Sequence, residues 1–203
     1  VRLYIMKTKR LKRFIYSFFV YSMAVQTIML VAVYFGTKEV NWGEGSNAKM
    51  GLIIGVLLIQ LIAIPGAILL SKISKFKGNL FALKLVVFIW ILLCLSALLV
   101  YEPIHFYLIS GFVGLVMGGI QSLSRSTYSK YIPSGTKDTS SFFSFYDISE
   151  KLGIVIGMFS YGFIEQVTGS MRNSIVALVV FFIVGLLLLF QVPKEEISIE
   201  NYA

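Results

Sequence analysis

The chain has 203 residues, of which 57% are hydrophobic, 14% charged and 15% aromatic, with a formal net charge of +8. Soluble domains carry roughly 45–50% apolar and about 25% charged residues, so a soluble globular enzyme, a disordered tail and a nucleic-acid-binding domain are excluded. The mean hydropathy is +0.84, and the charge collects in short clusters between long apolar runs, as expected of an integral membrane protein in contact with a lipid bilayer.

Six candidate spans follow from the charge-poor stretches: about 14–36, 50–70, 80–100, 104–124, 142–164 and 173–192. Each is about 30 Å long as a helix, enough to cross with some tilt. The predicted fold class is therefore an all-α membrane protein of six transmembrane helices, with a basic segment at 1–13, the bundle at 14–192 and a tail at 193–203. Basic residues set the expected orientation. Arg2, Lys7, Lys9, Arg10, Lys12 and Arg13 precede the first span. Lys72, Lys75 and Lys77 follow the second, and Arg125, Lys130 and Lys137 follow the fourth. The opposite links carry Lys38, Lys49 and Arg172, partly balanced by Glu39, Glu44, Glu102 and Glu165. The positive-inside rule then puts both termini in the cytoplasm, in a cell (inner or plasma) membrane. The start is not a signal peptide, because the first apolar stretch exceeds the usual 7–15-residue core and no small-residue cleavage site follows. A first residue Val1 rather than Met suggests a piece of something longer.

Polarity varies with a period of three spans. Spans three and six are plain, which suggests a lipid-facing periphery. Span one carries Ser22, Gln26 and Thr27; span four carries Ser110, Gln121, Ser122 and Ser124; span two has Gln60 and an expected break at Pro65-Gly66. Spans one, two, four and five are thus expected to enclose something polar. Because three is odd, spans one to three and four to six run in opposite senses, the 3+3 inverted repeat of secondary transporters. Glycines four apart, Gly51 and Gly55, Gly114 and Gly118, Gly153 and Gly157, predict close helix contacts and no chemistry.

Asp147, Glu150 and Lys151 in span five are the most informative residues. With the helix entering near Phe142, Lys151 sits about 13 Å deep. Each such charge costs on the order of 2.5–3.5 kcal/mol on insertion scales, so the trio has to face a bundle interior or a watery cavity. Asp147 and Lys151 are four apart with the acid first, the favourable order for a pair. That leaves Glu150 as the uncompensated acid, with Arg125 its expected partner if the helices are neighbours. The trio reads either as a substrate or proton site, with Lys151 holding an anionic group and Glu150 or Asp147 exchanging a proton, or as a structural buried pair. Gln26 and Gln121 complete the candidates for the pathway. Gln26 near mid-span reads equally as a substrate contact or as a hydrogen bond to a neighbouring helix. Lys84 and His105 read as interfacial, and Trp42, Tyr101 and Tyr107 as an aromatic belt. No G-x-x-x-x-G-K-[ST], H-E-x-x-H or G-x-S-x-G is present, and one Cys with one His gives no metal or nucleophile set, so no enzyme and no cofactor is expected.

The stretch Gly118-Gly119-Ile120-Gln121-Ser122-Leu123-Ser124-Arg125-Ser126, then Pro133, then Ser141-Phe142-Phe143-Ser144-Phe145-Tyr146 and Glu150-Lys151, resembles the hallmark of the vacuole-effluxer-like (autophagy-related permease) branch of the major facilitator superfamily. The run from Phe18 to Phe35 with Gln26-Thr27 is similar to that branch's seventh span, and Thr168 to Ser174 to the start of its last. The link from Ser71 to Asn79 resembles the superfamily's G-x-L-A-D-[RK]-x-G-[RK] loop, with Lys75 where that loop carries Asp. The resemblance implies the C-terminal half of a twelve-helix transporter, completed by an N-terminal six-helix half. It would move a small polar solute, amino acids among the candidates, by alternating access, with protons as a candidate coupling ion. A non-transporting six-span scaffold or truncated product is the alternative reading.

Overall fold

The computed structural model describes residues 8–43, 48–132 and 138–193. The expectations that rest on Arg2, Lys7, Glu44, Pro133, Lys137 and the tail from 194 onward lie outside the described residues. Among the described residues there are six helices and no strand: α1 (Lys9–Glu39), α2 (Ala48–Lys77), α3 (Asn79–Ala97), α4 (Pro103–Tyr131), α5 (Thr139–Thr168) and α6 (Met171–Phe190). Five are long and apolar enough to cross a membrane. The sixth, α5, is 30 residues long but carries Asp147, Glu150 and Lys151 and does not reach that mark.

Local chemistry explains the boundaries. Gly78 at φ +88° is the single residue between α2 and α3, a turn that a side chain would strain. Pro103 opens α4 at the position where a missing N–H costs nothing. Gly169 at φ +67° closes α5, its amide bonded to the Glu165 carbonyl at 2.8 Å. The expected break at Pro65-Gly66 does not occur, and α2 runs unbroken through both residues. Proline removes one intrahelical bond, but α4 packs tightly alongside and holds the helix together. A Cβ at Gly66 would strike the Leu115 backbone, and one on Gly114 would lie 2.6 Å from the Ile59 carbonyl oxygen. Gly66 therefore serves close helix approach, like Gly114 and Gly118 across the same interface.

The packing partners obey an exchange of α1 with α4, α2 with α5 and α3 with α6. The α2·α4 contact becomes α5·α1, α1·α6 becomes α4·α3, α5·α6 becomes α2·α3, and α3·α6 and α1·α4 map onto themselves. The counterparts differ in extent, α2·α4 being the larger contact than α5·α1, and α1·α2 has only a slight counterpart in α4·α5. This is the pattern of two three-helix units related by a pseudo-twofold axis, and the fold is that of half a major facilitator bundle.

A large part of the core lies where α6 packs against both α1 and α3. Trp90 and Phe182, both fully buried, stack with ring centroids 5.6 Å apart. Ser17 donates to the Gly185 carbonyl at 2.7 Å, and Gly185 admits Tyr21 against the α6 backbone. The plain helices α3 and α6 each keep an exposed apolar face, Phe88 and Leu92 on one, Val180 and Leu187 on the other, as lipid contact requires. Contacts define the two ends of the bundle. At the basic end, Arg13 reaches the Gln191 carbonyl at 2.8 Å and Arg10 lies 4.2 Å over the Tyr131 ring. At the other end, Arg172 joins the end of α1 to the α3–α4 link.

Candidate functional site

Two glycines on α5 decide what its charged residues meet. A Cβ at Gly157 would fall 2.5 Å from the Met23 carbonyl oxygen, and one at Gly153 would sit 3.1 Å from Ser22 Oγ, so α5 lies directly on α1. Glu150, three residues before Gly153, shares that face. Its Oε1 accepts a hydrogen bond from Gln26 Nε2 on α1. Both residues are half-buried. Asp147, one turn earlier, turns instead to α4, where Arg125 Nη2 is 3.5 Å from its Oδ1.

The pairing therefore differs from the expected one. Arg125 meets Asp147, not Glu150, and Asp147 does not pair with Lys151. Helical spacing makes an Asp147–Lys151 pair available, but it cannot report how the helix is rotated. The glycine face commits α5 to α1, and this rotation turns Asp147 toward α4 and leaves Lys151 exposed. Among the described residues Lys151 makes no ion pair or hydrogen bond. Gln26, read equally as a substrate contact or an interhelical bond, makes the interhelical bond and also lines a cavity. Gln121 is exposed, its amide nitrogen 3.4 Å from Met29 Sδ.

That cavity, of about 260 Å³, lies between α1, α4 and α5. Gln26, Gln121, Arg125 and Glu150 all line it, with Ser22, Ser122 and Ser124 adding hydroxyls. Lys151 and Asp147 are outside its lining, and α2 contributes nothing: Gln60 is exposed elsewhere. The expectation that four helices enclose the polar space is thus corrected to three. The interface between α2 and α4 is closed by glycine, whereas α4 and α5 meet only sparsely and leave room beside α1.

Aromatic packing forms the cavity floor. Phe18 stacks on Tyr146 at 4.1 Å, and Tyr128 lies 5.0 Å from Tyr146 while its hydroxyl donates to the Phe142 carbonyl at 2.8 Å. Ser124 spends its one proton on the Ile120 carbonyl at 2.6 Å, so Tyr21, 2.6 Å away, is the donor to Ser124. The hydroxyls of Tyr21, Ser124 and Tyr128 thereby all have partners within the protein. The walls, with Arg125 and Glu150, present one guanidinium and one carboxylate to the same space, an arrangement suited to a solute bearing both charges.

The family model described as "Vacuole effluxer Atg22 like" matches residues 3–200. The chain belongs to this family. Among curated relatives, the "Uncharacterized MFS-type transporter YxiO" of Bacillus subtilis is 28% identical over 183 residues, covering 90% of this chain and 41% of the relative. "Autophagy-related protein 22" of Pichia angusta is 25% identical over 186 residues, covering 86% and 32%. Its counterpart in Vanderwaltozyma polyspora is 28% identical over 199 residues, covering 89% and 34%. The chain thus spans about a third to two fifths of the length of these relatives. No solved structure matches it. As a vacuole effluxer family member the chain is a multi-pass membrane protein, and one of these relatives, that of Bacillus subtilis, carries a transporter name.

Sequence reasoning missed one functional-looking residue. Arg172, read above only as an outer-link cation, is a half-buried clamp bonded to Glu39 and to three backbone carbonyls. Its partner Glu39 is 133 positions away, and no local pattern connects the two.

Proposed function

We propose that this chain is one half of a secondary transporter that moves a small polar solute by alternating access, with the α1–α4–α5 cavity as its wall of the pathway. The observation that carries the reading is a carboxylate and a guanidinium, Glu150 and Arg125, lining one polar cavity between the long helices. Charges are retained there only where they bind, pair or relay. The greater length of the relatives favours a second, N-terminal half that completes the pathway. Lys151, exposed and without a partner among the described residues, fits a side chain that meets solute or the other half.

A zwitterionic amino acid suits the cavity, its carboxylate toward Arg125 and its ammonium toward Glu150. Glu150 is also the candidate proton carrier: its Gln26 bond positions the carboxylate without neutralising it. The basic end faces the cytoplasm in this reading, by the positive-inside rule, and the membrane is the cell membrane.

The test is proton and solute flux in proteoliposomes of the intact protein, challenged with pooled amino acids. Glu150→Gln is expected to keep solute exchange and lose its response to a pH gradient. Lys151→Ala is expected to abolish flux at unchanged abundance. A fully active Lys151→Ala would remove that residue from the pathway, and pH-driven flux unaltered in Glu150→Gln would remove Glu150 as proton carrier. Well-folded protein with neither flux nor exchange would favour the scaffold reading.

A further inference from the structure

The basic end of the bundle holds a second cavity, of about 680 Å³, which the transport reading does not use. It lies at the one-residue turn between α2 and α3, against the last turns of α4 and the first turn of α1. Five cations line it, Arg10, Lys75, Lys77, Lys84 and Lys130, and no Asp or Glu is among the lining residues. A cleft walled by one sign of charge focuses its field and concentrates counter-ions. Like charges held together disfavour one another until an anion offsets them.

Two further features bear on the same space. Arg10 lines it with its guanidinium held over the Tyr131 ring, its Nε buried and without a hydrogen-bond partner among the described residues. The first turn of α3 has no side-chain cap, and its residues Asn79, Leu80 and Phe81, whose amides have no carbonyl partner within their own helix, line the cavity. The walls are fixed by hydrogen bonds from Lys130 Nζ to Asn79 Oδ1 at 3.0 Å and from Asn79 Nδ2 to Ser126 Oγ at 3.1 Å.

The surroundings distinguish a lipid from a free anion. Phe81 lines the cavity, and Phe88, Leu92 and Leu95 continue from it along one face of α3, all exposed. A phosphate in the basic cavity would thus have an apolar stripe directly beneath it, leading into the membrane. Basic pockets between spanning helices suit lipid headgroups for this reason. We propose that this cavity binds the phosphate of an anionic membrane lipid, whose acyl chains lie on the Phe81–Phe88–Leu92–Leu95 face.

The experiment is native mass spectrometry of the intact protein in detergent, titrated with phosphatidylglycerol or with phosphatidylcholine of the same chain length. A preference of about tenfold or more for phosphatidylglycerol is expected, given what each basic residue near a membrane surface contributes. Lys75→Gln, Lys77→Gln and Lys130→Gln together should abolish it; all three side chains are exposed, so folding is not at stake. Lys130→Gln alone should weaken the preference, and Lys38→Gln at the opposite end should leave it intact. Equal retention of the two lipids, or a preference that survives the triple variant, overturns the proposal. Displacement of phosphatidylglycerol by an equal concentration of inorganic phosphate identifies a free-anion site and overturns the lipid assignment.

Discussion

Arg172 and Arg125 each face a carboxylate from another helix, yet they sit in opposite environments. Arg172 donates from Nε to Glu39 at 2.8 Å, from Nη1 to the Leu98 carbonyl at 2.6 Å, and from Nη2 to the Val100 carbonyl at 2.6 Å and the Glu39 carbonyl at 3.2 Å. It also lies 4.0 Å over the Tyr101 ring, with side-chain exposure of 17% against 21% for Glu39. Arg125 makes one contact with Asp147, at 3.5 Å, and the two side chains are 58% and 48% exposed. The first arginine has its planar fork filled by the protein itself and locks the ends of α1, α3 and α6 together. The second has most of its donors open to a cavity. A guanidinium saturated by backbone carbonyls is structural, and one left unsaturated beside a polar cavity is available to a ligand.

The contrast can be broken from either side. Arg172→Ala leaves a half-buried carboxylate and three carbonyls without their donor, and it should cost about 3–5 kcal/mol, read as a large fall in the thermal midpoint in detergent. An unchanged midpoint would make the clamp a surface pair. Gly157→Val pushes α5 off the Met23 carbonyl and should cost about 1–3 kcal/mol by overpacking. It should also separate Glu150 from Gln26, so that flux falls further than in a stability-matched control variant. If flux and stability fall together, the α1–α5 spacing does not set the site. Arg125→Gln should change stability least, by about 0–1 kcal/mol, since an exposed pair contributes little. It should nevertheless remove solute flux, and retention of both flux and stability would strip Arg125 of its role.

Charge and the site were legible in the sequence to different depths. That the trio of Asp147, Glu150 and Lys151 faces a cavity was expected from the cost of charge in lipid, which depends on residue type and depth alone, yet only Glu150 lines the polar cavity and Lys151 is exposed. Which acid meets Arg125 did not follow, because the answer depends on the rotation of α5, and Gly153 and Gly157 set that rotation only by lying on α1. The Pro65-Gly66 pair misled for a related reason. Proline weakens an isolated helix, but α2 is not isolated: α4 packs against it along the glycine interface. The absence of α2 from the polar cavity has the same origin, since glycines on both helices close the space that Gln60 was expected to share.

By itself the sequence determined a multi-pass helical membrane protein, its six helices, the three-span period and the family, because hydropathy, charge placement and motif are all written in linear order. Only the tertiary structure decided the partners of Asp147 and Glu150, the Arg172 clamp and the gathering of Arg10, Lys75, Lys77, Lys84 and Lys130 around one cavity. Each of these joins residues from different helices. Such contacts depend on helix rotation and approach distance, which no single helix carries in its own order of residues.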